Sequence, residues 1–161
     1  MEARHVERAI RVDSGPVRYV LPQPFRDLDH TADAGVEVEG ASAGETLARL
    51  VLAQSALLTG GGRVPVERDE RIAVPAHPAL HETAIAILRE LLYRFSTEKV
   101  IAGACEVGAL QPGLPAEVTI GFGRYDPELH AEGLDLKAVT WHAARFEEVD
   151  GRWRARVIFD I

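Results

Sequence analysis

Asp150-Gly151 separates two long stretches in which apolar and polar residues alternate, and no other short signal in the chain limits its fold as strongly. Asp-Gly suits a two-residue hairpin turn, whose central positions need positive φ. The stretch from Leu134 to Val149 reads as one strand and Trp153 to Ile161 as its partner. On the second strand Trp153, Ala155, Val157 and Phe159 share one face; Arg152, Arg154, Arg156, Ile158 and Asp160 share the other. That period of two belongs to a half-buried sheet.

The same period recurs upstream and gives way twice to helical spacing. From Gly35 to Gly40, Val36 and Val38 alternate with Glu37 and Glu39. Ser42 and Glu45 then form a capping box, and Leu47, Leu50, Val51, Gln54, Leu57 and Leu58 follow at helical intervals. Thr59 and Gly60-Gly61-Gly62 end that helix. Glu70 to Val74 reads as a short strand. A second helix is predicted from Ala79 to Phe95, with an apolar stripe of Leu80, Ala84, Leu88, Leu91, Leu92 and Phe95. Val100 to Val107 and Ala116 to Phe122 complete the strands. The sum is a single α+β domain, a largely antiparallel or mixed sheet packed with two helices. The domain is expected over residues 25–161. Residues 1–24 have no clear period and contain Pro16, Pro22 and Pro24, so a mobile leader is expected there, although Pro16 to Leu21 could pair as a strand.

Charge and composition restrict the function. The 161 residues carry 18 basic and 25 acidic side chains, a net charge of −7. Such a surface repels a phosphate backbone, so tight autonomous binding of nucleic acid is disfavoured. No apolar run approaches a membrane span, and the opening Met1-Glu2-Ala3-Arg4-His5 lacks the apolar core of a secretory signal. Cys105 is the only cysteine, which excludes an intramolecular disulfide and a cysteine-based zinc cluster and points to a cytoplasmic setting. There is no phosphate-binding glycine loop, dinucleotide fingerprint or serine nucleophile elbow.

Three places carry candidate chemistry, and each also has an ordinary reading. Asp29 and Asp33 flank His30 and Thr31; in an extended segment the two carboxylates face one side and suit a hard cation, or the segment is a polar turn. Asp160 lies beside the Ile161 terminal carboxylate, either as a second pair of oxygens or as a solvated tail. Lys137 falls in line with Val139 and Trp141, where it either snorkels to the rim or offers an ammonium to a carboxylate or phosphate. His130 and His142 are further ligand candidates or surface residues.

Five colinear blocks resemble the archease family. They are Asp29-His30-Thr31-Ala32-Asp33, Leu88 to Glu98, Tyr125-Asp126-Pro127-Glu128-Leu129-His130, Leu136 to His142, and the ending Phe159-Asp160-Ile161. The resemblance covers about residues 25–161. Two segments depart from it: Thr97-Glu98-Lys99 has a lysine where a small turn residue is expected, and Pro112 to Pro115 is proline-rich.

The resemblance implies an archease-like fold and a role as activator, not enzyme. Archeases assist the RtcB-type RNA ligase, which uses GTP to join RNA ends in tRNA splicing; they promote its guanylylation and multiple turnover. The family's metal-binding acidic site carries over to Asp33, Asp160 and Ile161, with Lys137 as the family's lysine. Asp29, His30 and His130 are expected in support. The implied cofactor is one divalent cation, Ca2+ first, with Mg2+ or Mn2+ as alternatives. The implied partner is the ligase, with tRNA engaged only through it and no membrane. Two other classes stay open on the residues alone: a metal-dependent phosphoester hydrolase and a general chaperone-like binding module.

Overall fold

In the computed structural model, residues 16–29 and 33–161 are described. In chain order the elements are β1 (Arg18–Val20), β2 (Arg26–Asp29), β3 (Asp33–Gly40), α1 (Ala43–Thr59), β4 (Arg68–Val74), α2 (Leu80–Glu98), β5 (Val100–Val107), β6 (Ala116–Arg124), β7 (Ala138–Val149) and β8 (Arg152–Asp160). The strands form two four-stranded sheets, ordered β1-β5-β6-β4 and β2-β3-β8-β7. Every neighbouring pair is antiparallel. The chain is thus a single α+β domain, as its pattern predicts.

Helix α1 packs against β5 of one sheet and β3 of the other. That position explains its composition, because residues on all its sides are buried: Leu47, Leu50, Val51, Leu52 and Ala53 are each at most 1% exposed. Burying each such leucine is worth about 1.5–3 kcal/mol. The helix starts as its capping residues require. Ser42 Oγ accepts from the Glu45 N–H at 3.1 Å, and the Glu45 carboxylate accepts from the Ala41 N–H at 2.6 Å. It stops at Gly60, whose φ of 64° only glycine adopts without cost. Buried Gln54 donates to the Leu88 carbonyl at 3.3 Å, joining α1 to α2.

Helix α2 continues past Phe95 to Glu98. Lys99 then takes the left-handed cap with φ 58°, its N–H bonded to the Phe95 carbonyl at 3.0 Å. Its ammonium lies 5.2 Å from the Phe95 ring centroid. The lysine that departs from the family pattern therefore serves as the helix stop, a position usually given to glycine.

Two expectations are refined here. Within the expected leader the strand alternative holds: Arg18–Val20 pairs with Glu106, Cys105 and Ala104 of β5, and Tyr19 packs against the core. Arg18 also bonds Asp69 and Glu106. The rest of the expected leader, residues 1–15, lies outside the described residues. The strand expected from Leu134 begins only at Ala138. The preceding loop is held on the end of α1, where the Leu134 N–H donates to the Leu57 carbonyl at 2.8 Å. Gly133 sits so close that an added Cβ would lie 1.9 Å from the Leu58 carbonyl oxygen. The β7–β8 turn is as predicted, with φ of 52° at Asp150 and 79° at Gly151.

Candidate functional site

Strands β3 and β8 run side by side from Gly40 opposite Trp153 to Asp33 opposite Asp160. Alternation sends Ala34, Val36 and Val38 into the core with Phe159, Val157 and Ala155. The outer face is a column of cross-strand rungs. Glu39 faces Arg154, Glu37 faces Arg156, Gly35 faces Ile158, and at the end Asp33 faces Asp160.

The first two of these rungs follow ordinary electrostatics. Glu39 meets Arg154 at 3.3 Å and Arg152 at 3.8 Å. Glu37 is 7% exposed and accepts from both Arg26 and Arg156. Burial pushes its carboxyl up, but the two guanidinium hydrogen bonds outweigh that and hold it below the usual range. The glycine rung has a packing cause: a Cβ at Gly35 would lie 2.6 Å from Ile158 Cδ1. The last rung reverses the rule, since an acid lies opposite an acid. Cross-strand pairs sit about 4.5–5.5 Å apart at Cβ, and like charges so placed disfavour the pairing.

A third strand borders this rung. Ala138, the first residue of β7, lies opposite Asp160, and the Lys137 N–H donates to the Asp160 carbonyl at 2.8 Å. Asp33 is half-buried, while Asp160, Ile161 and Lys137 are exposed. The backbone thus gathers Asp33, Asp160 and Lys137 at one end of the sheet, next to Ile161. The expected alignment of Lys137 with Val139 and Trp141 does not hold. Lys137 precedes the strand, Val139 is buried at 2% exposure and Trp141 stands out at 51%. β7 bulges between them and Arg145, where Thr140 faces Ile158 but Arg145 faces Arg156, and Ala143 has φ 53°.

The other candidates stand differently. Asp29 and Asp33 do not share one extended strand: Asp29 ends β2 opposite Ala34, and Asp33 begins β3. His30 lies outside the described residues. His130 is buried at 1% exposure with both ring nitrogens engaged. Nδ1 accepts from the Asp126 N–H at 2.9 Å, and Nε2 meets the Arg63 carbonyl at 2.6 Å. This is the Nε2–H tautomer, with no lone pair left for a cation. His130 is a loop anchor, not a ligand. His142 is exposed on the β7 bulge.

Among the described residues, no group of three or more His, Cys, Asp and Glu side chains could hold a metal ion. The side-chain donors at this end of the sheet are the two aspartates. Both offer oxygens, which fits a hard divalent cation that keeps water among its ligands and does not fit a soft metal. Cys105 adds no thiol chemistry: burial, with the charge of Glu106 behind it, pushes its thiol up to about 12.

A sequence model of the archease protein family matches residues 25–161. The chain belongs to the archease family. Archease of Methanosarcina mazei is 28% identical over 140 residues, covering 85% of this chain and 95% of the relative. Archease of Methanopyrus kandleri is 30% identical over 142 residues, covering 86% and 99%. The solution structure of Methanobacterium thermoautotrophicum protein 1598 superposes with a TM-score of 0.66 at 28% identity, covering 85% of this chain and 98% of that one. A Thermotoga maritima crystal structure described as an archease, "possible chaperone", gives a TM-score of 0.55 at 21% identity and shares the fold, covering 89% and 99%. The α+β architecture is that of the archease structures. Among the described residues, no helix is long and apolar enough to cross a membrane.

Residue reading alone did not single out Arg89, Tyr93 and Trp141 beside Lys137. Arg89 donates twice to the Val139 carbonyl, at 3.1 and 2.9 Å, and its guanidinium lies 5.0 Å from the Trp141 ring centroid. A run of helix charges gave no reason to prefer Arg89 over its neighbours.

Proposed function

We propose that this archease is an activator of an RtcB-type RNA ligase and works through one divalent cation held at the Asp33–Asp160 end of the sheet. The observation that supports this is the last rung of the β3–β8 column. Two Glu–Arg rungs and then a Gly–Ile rung occupy that face, and at its end two aspartates are set directly against each other. Like charges so placed repel each other, and a cation held between them would be attracted to both.

Asp33 and Asp160 would supply carboxylate oxygens, and Ile161 a third through its terminal carboxylate. Ca2+ suits such a set, and Mg2+ or Mn2+ would accept the same donors. A cation bound there brings positive charge to phosphate oxygens. Lys137, anchored through its N–H to Asp160, would bring its ammonium to the same rim to meet a nucleotide phosphate or a carboxylate. Positioning and charge are sufficient to assist guanylyl transfer, so no nucleophile is required of this chain. With a net charge of −7, tRNA is engaged through the ligase. The cytoplasm is the compartment proposed.

The test is guanylylation of the ligase with labelled GTP, followed by RNA joining at substrate excess. Wild-type protein should accelerate the first and sustain the second. Asp33→Asn and Asp160→Asn should fold and fail in both. Residues added after Ile161 should also impair stimulation by displacing the terminal carboxylate. Turnover of phosphoesters by the purified chain alone would favour a hydrolase instead. Suppression of client aggregation that ignores Asp33 would favour a chaperone-like module.

A further inference from the structure

A cationic and aromatic face lies beside the acidic end, and of its residues the chemistry above uses Lys137 alone. A groove of about 410 Å³ runs between α2 and the start of β7, floored by Leu92 and Val139 and rimmed by Arg89, Tyr93 and Lys137. Tyr93 is 60% exposed and Trp141 is 51% exposed. Trp141 is held out by the β7 bulge, with Arg89 against its ring and His81 at its edge, 6.2 Å between ring centroids. Arg89 and Tyr93 are four residues apart on α2, so they lie on one helix face.

Most arginines of the described residues are paired with acids, and Arg63, Arg71, Arg145 and Lys99 are not. Arg18, Arg26, Arg94, Arg152, Arg154 and Arg156 all meet carboxylates. Arg89 and Lys137 form no ion pair among the described residues, in a protein with an excess of acid. Two unpaired cations, an apolar floor and two exposed aromatic rings have the composition of an interface centre.

We infer that this face docks a protein segment carrying a carboxylate next to an apolar side chain, on the same ligase that the acidic end serves. The inference rests on the function proposed above. Charge complementarity selects the occupant. The carboxylate meets Lys137 and the outer edge of Arg89, the apolar side chain fills the groove over Leu92 and Val139, and Trp141 and Tyr93 close over its flanks. RNA is disfavoured, because the net charge of −7 repels a phosphate backbone. Docking here sets the acidic end beside the partner, and Trp141 and Tyr93 take no part in the chemistry. Affinity and stimulation are therefore separable.

Stimulation of the ligase is measured against the concentration of this protein, for wild type, Trp141→Ala and Tyr93→Ala, with circular dichroism to confirm folding. Each variant should raise the half-saturating concentration tenfold or more and reach the wild-type plateau. Asp160→Asn should instead lower the plateau. Tyr93 is exposed, so its variant keeps the test valid if Trp141→Ala does not fold. Wild-type half-saturation in Tyr93→Ala and in any folded Trp141→Ala overturns the docking surface and leaves the functional reading intact. Failure of wild type itself to bind or stimulate overturns both. Binding of single-stranded RNA by wild type, weakened by the same variants, assigns the face to RNA and overturns the inference.

Discussion

Asp160→Asn is expected to stabilise the cation-free protein and to abolish its response to divalent cations. Asp160 lies directly opposite Asp33 at the end of the β3–β8 ladder. Two unit charges about 5 Å apart repel by about 0.8 kcal/mol in water, and Asp160 is exposed, so the aqueous figure applies. Half-burial of Asp33 raises this toward about 1 kcal/mol. In a domain of this size about 1 kcal/mol moves the melting temperature by roughly 2–4 °C. Wild type should respond in the opposite sense. A cation at a hundred times its dissociation constant adds about 2.7 kcal/mol, or roughly 5–10 °C. Differential scanning calorimetry in chelator and then in Ca2+, Mg2+ or Mn2+ reads both effects. A variant that melts below wild type in chelator, or that keeps the wild-type cation shift, refutes the reasoning.

His130→Ala should lower the melting temperature equally with and without cation, by on the order of 2 kcal/mol, because it removes two buried hydrogen bonds and no ligand; a loss confined to cation-containing buffer would restore His130 as a ligand. Glu37→Gln should cost on the order of 1–3 kcal/mol at neutral pH by weakening its bonds to Arg26 and Arg156. The Glu37 carboxyl is held below its ordinary value in the folded state, so its contribution is present above about pH 4.3 and is lost as pH falls through the folded value. The acid limb of wild type, followed by circular dichroism, should therefore be steeper than that of Glu37→Gln. Gly133→Ala should destabilise by about 1–3 kcal/mol, since its Cβ meets the Leu58 carbonyl, and should also weaken stimulation by shifting the loop that carries Lys137; unchanged melting would show that the loop gives way freely.

The hairpin, both helices and most strands were legible because each is specified locally. Asp150-Gly151 dictated its own turn, and Ser42 with Glu45 dictated the start of α1. The division into two sheets was not legible, because α1 reads as amphipathic in sequence but is covered on all sides. The strand expected at Leu134 fails because Gly133 and His130 fix that stretch to α1, and contacts that distant leave no period in the sequence. The acidic rung was half visible. Asp33 and Asp160 each stood out, yet their opposition depends on the register of strands from opposite ends of the chain. Glu37 and Glu39 against Arg154 and Arg156 hold that register, and reading those two alternations against each other would have found it. The i, i+4 geometry read for Asp29 and Asp33 assumes one strand, and the chain changes strand between them.

The central claim is that Asp33 and Asp160 act together at one end of the sheet to activate a ligase. Guanylylation of an RtcB-type ligase with limiting cation, in the presence of wild type, Asp33→Asn, Asp160→Asn or the double variant, tests it most directly. The account predicts stimulation by wild type, and a loss in either single variant as large as in the double, because one cation needs both groups. Full stimulation by either folded single variant, or by the double, would contradict it.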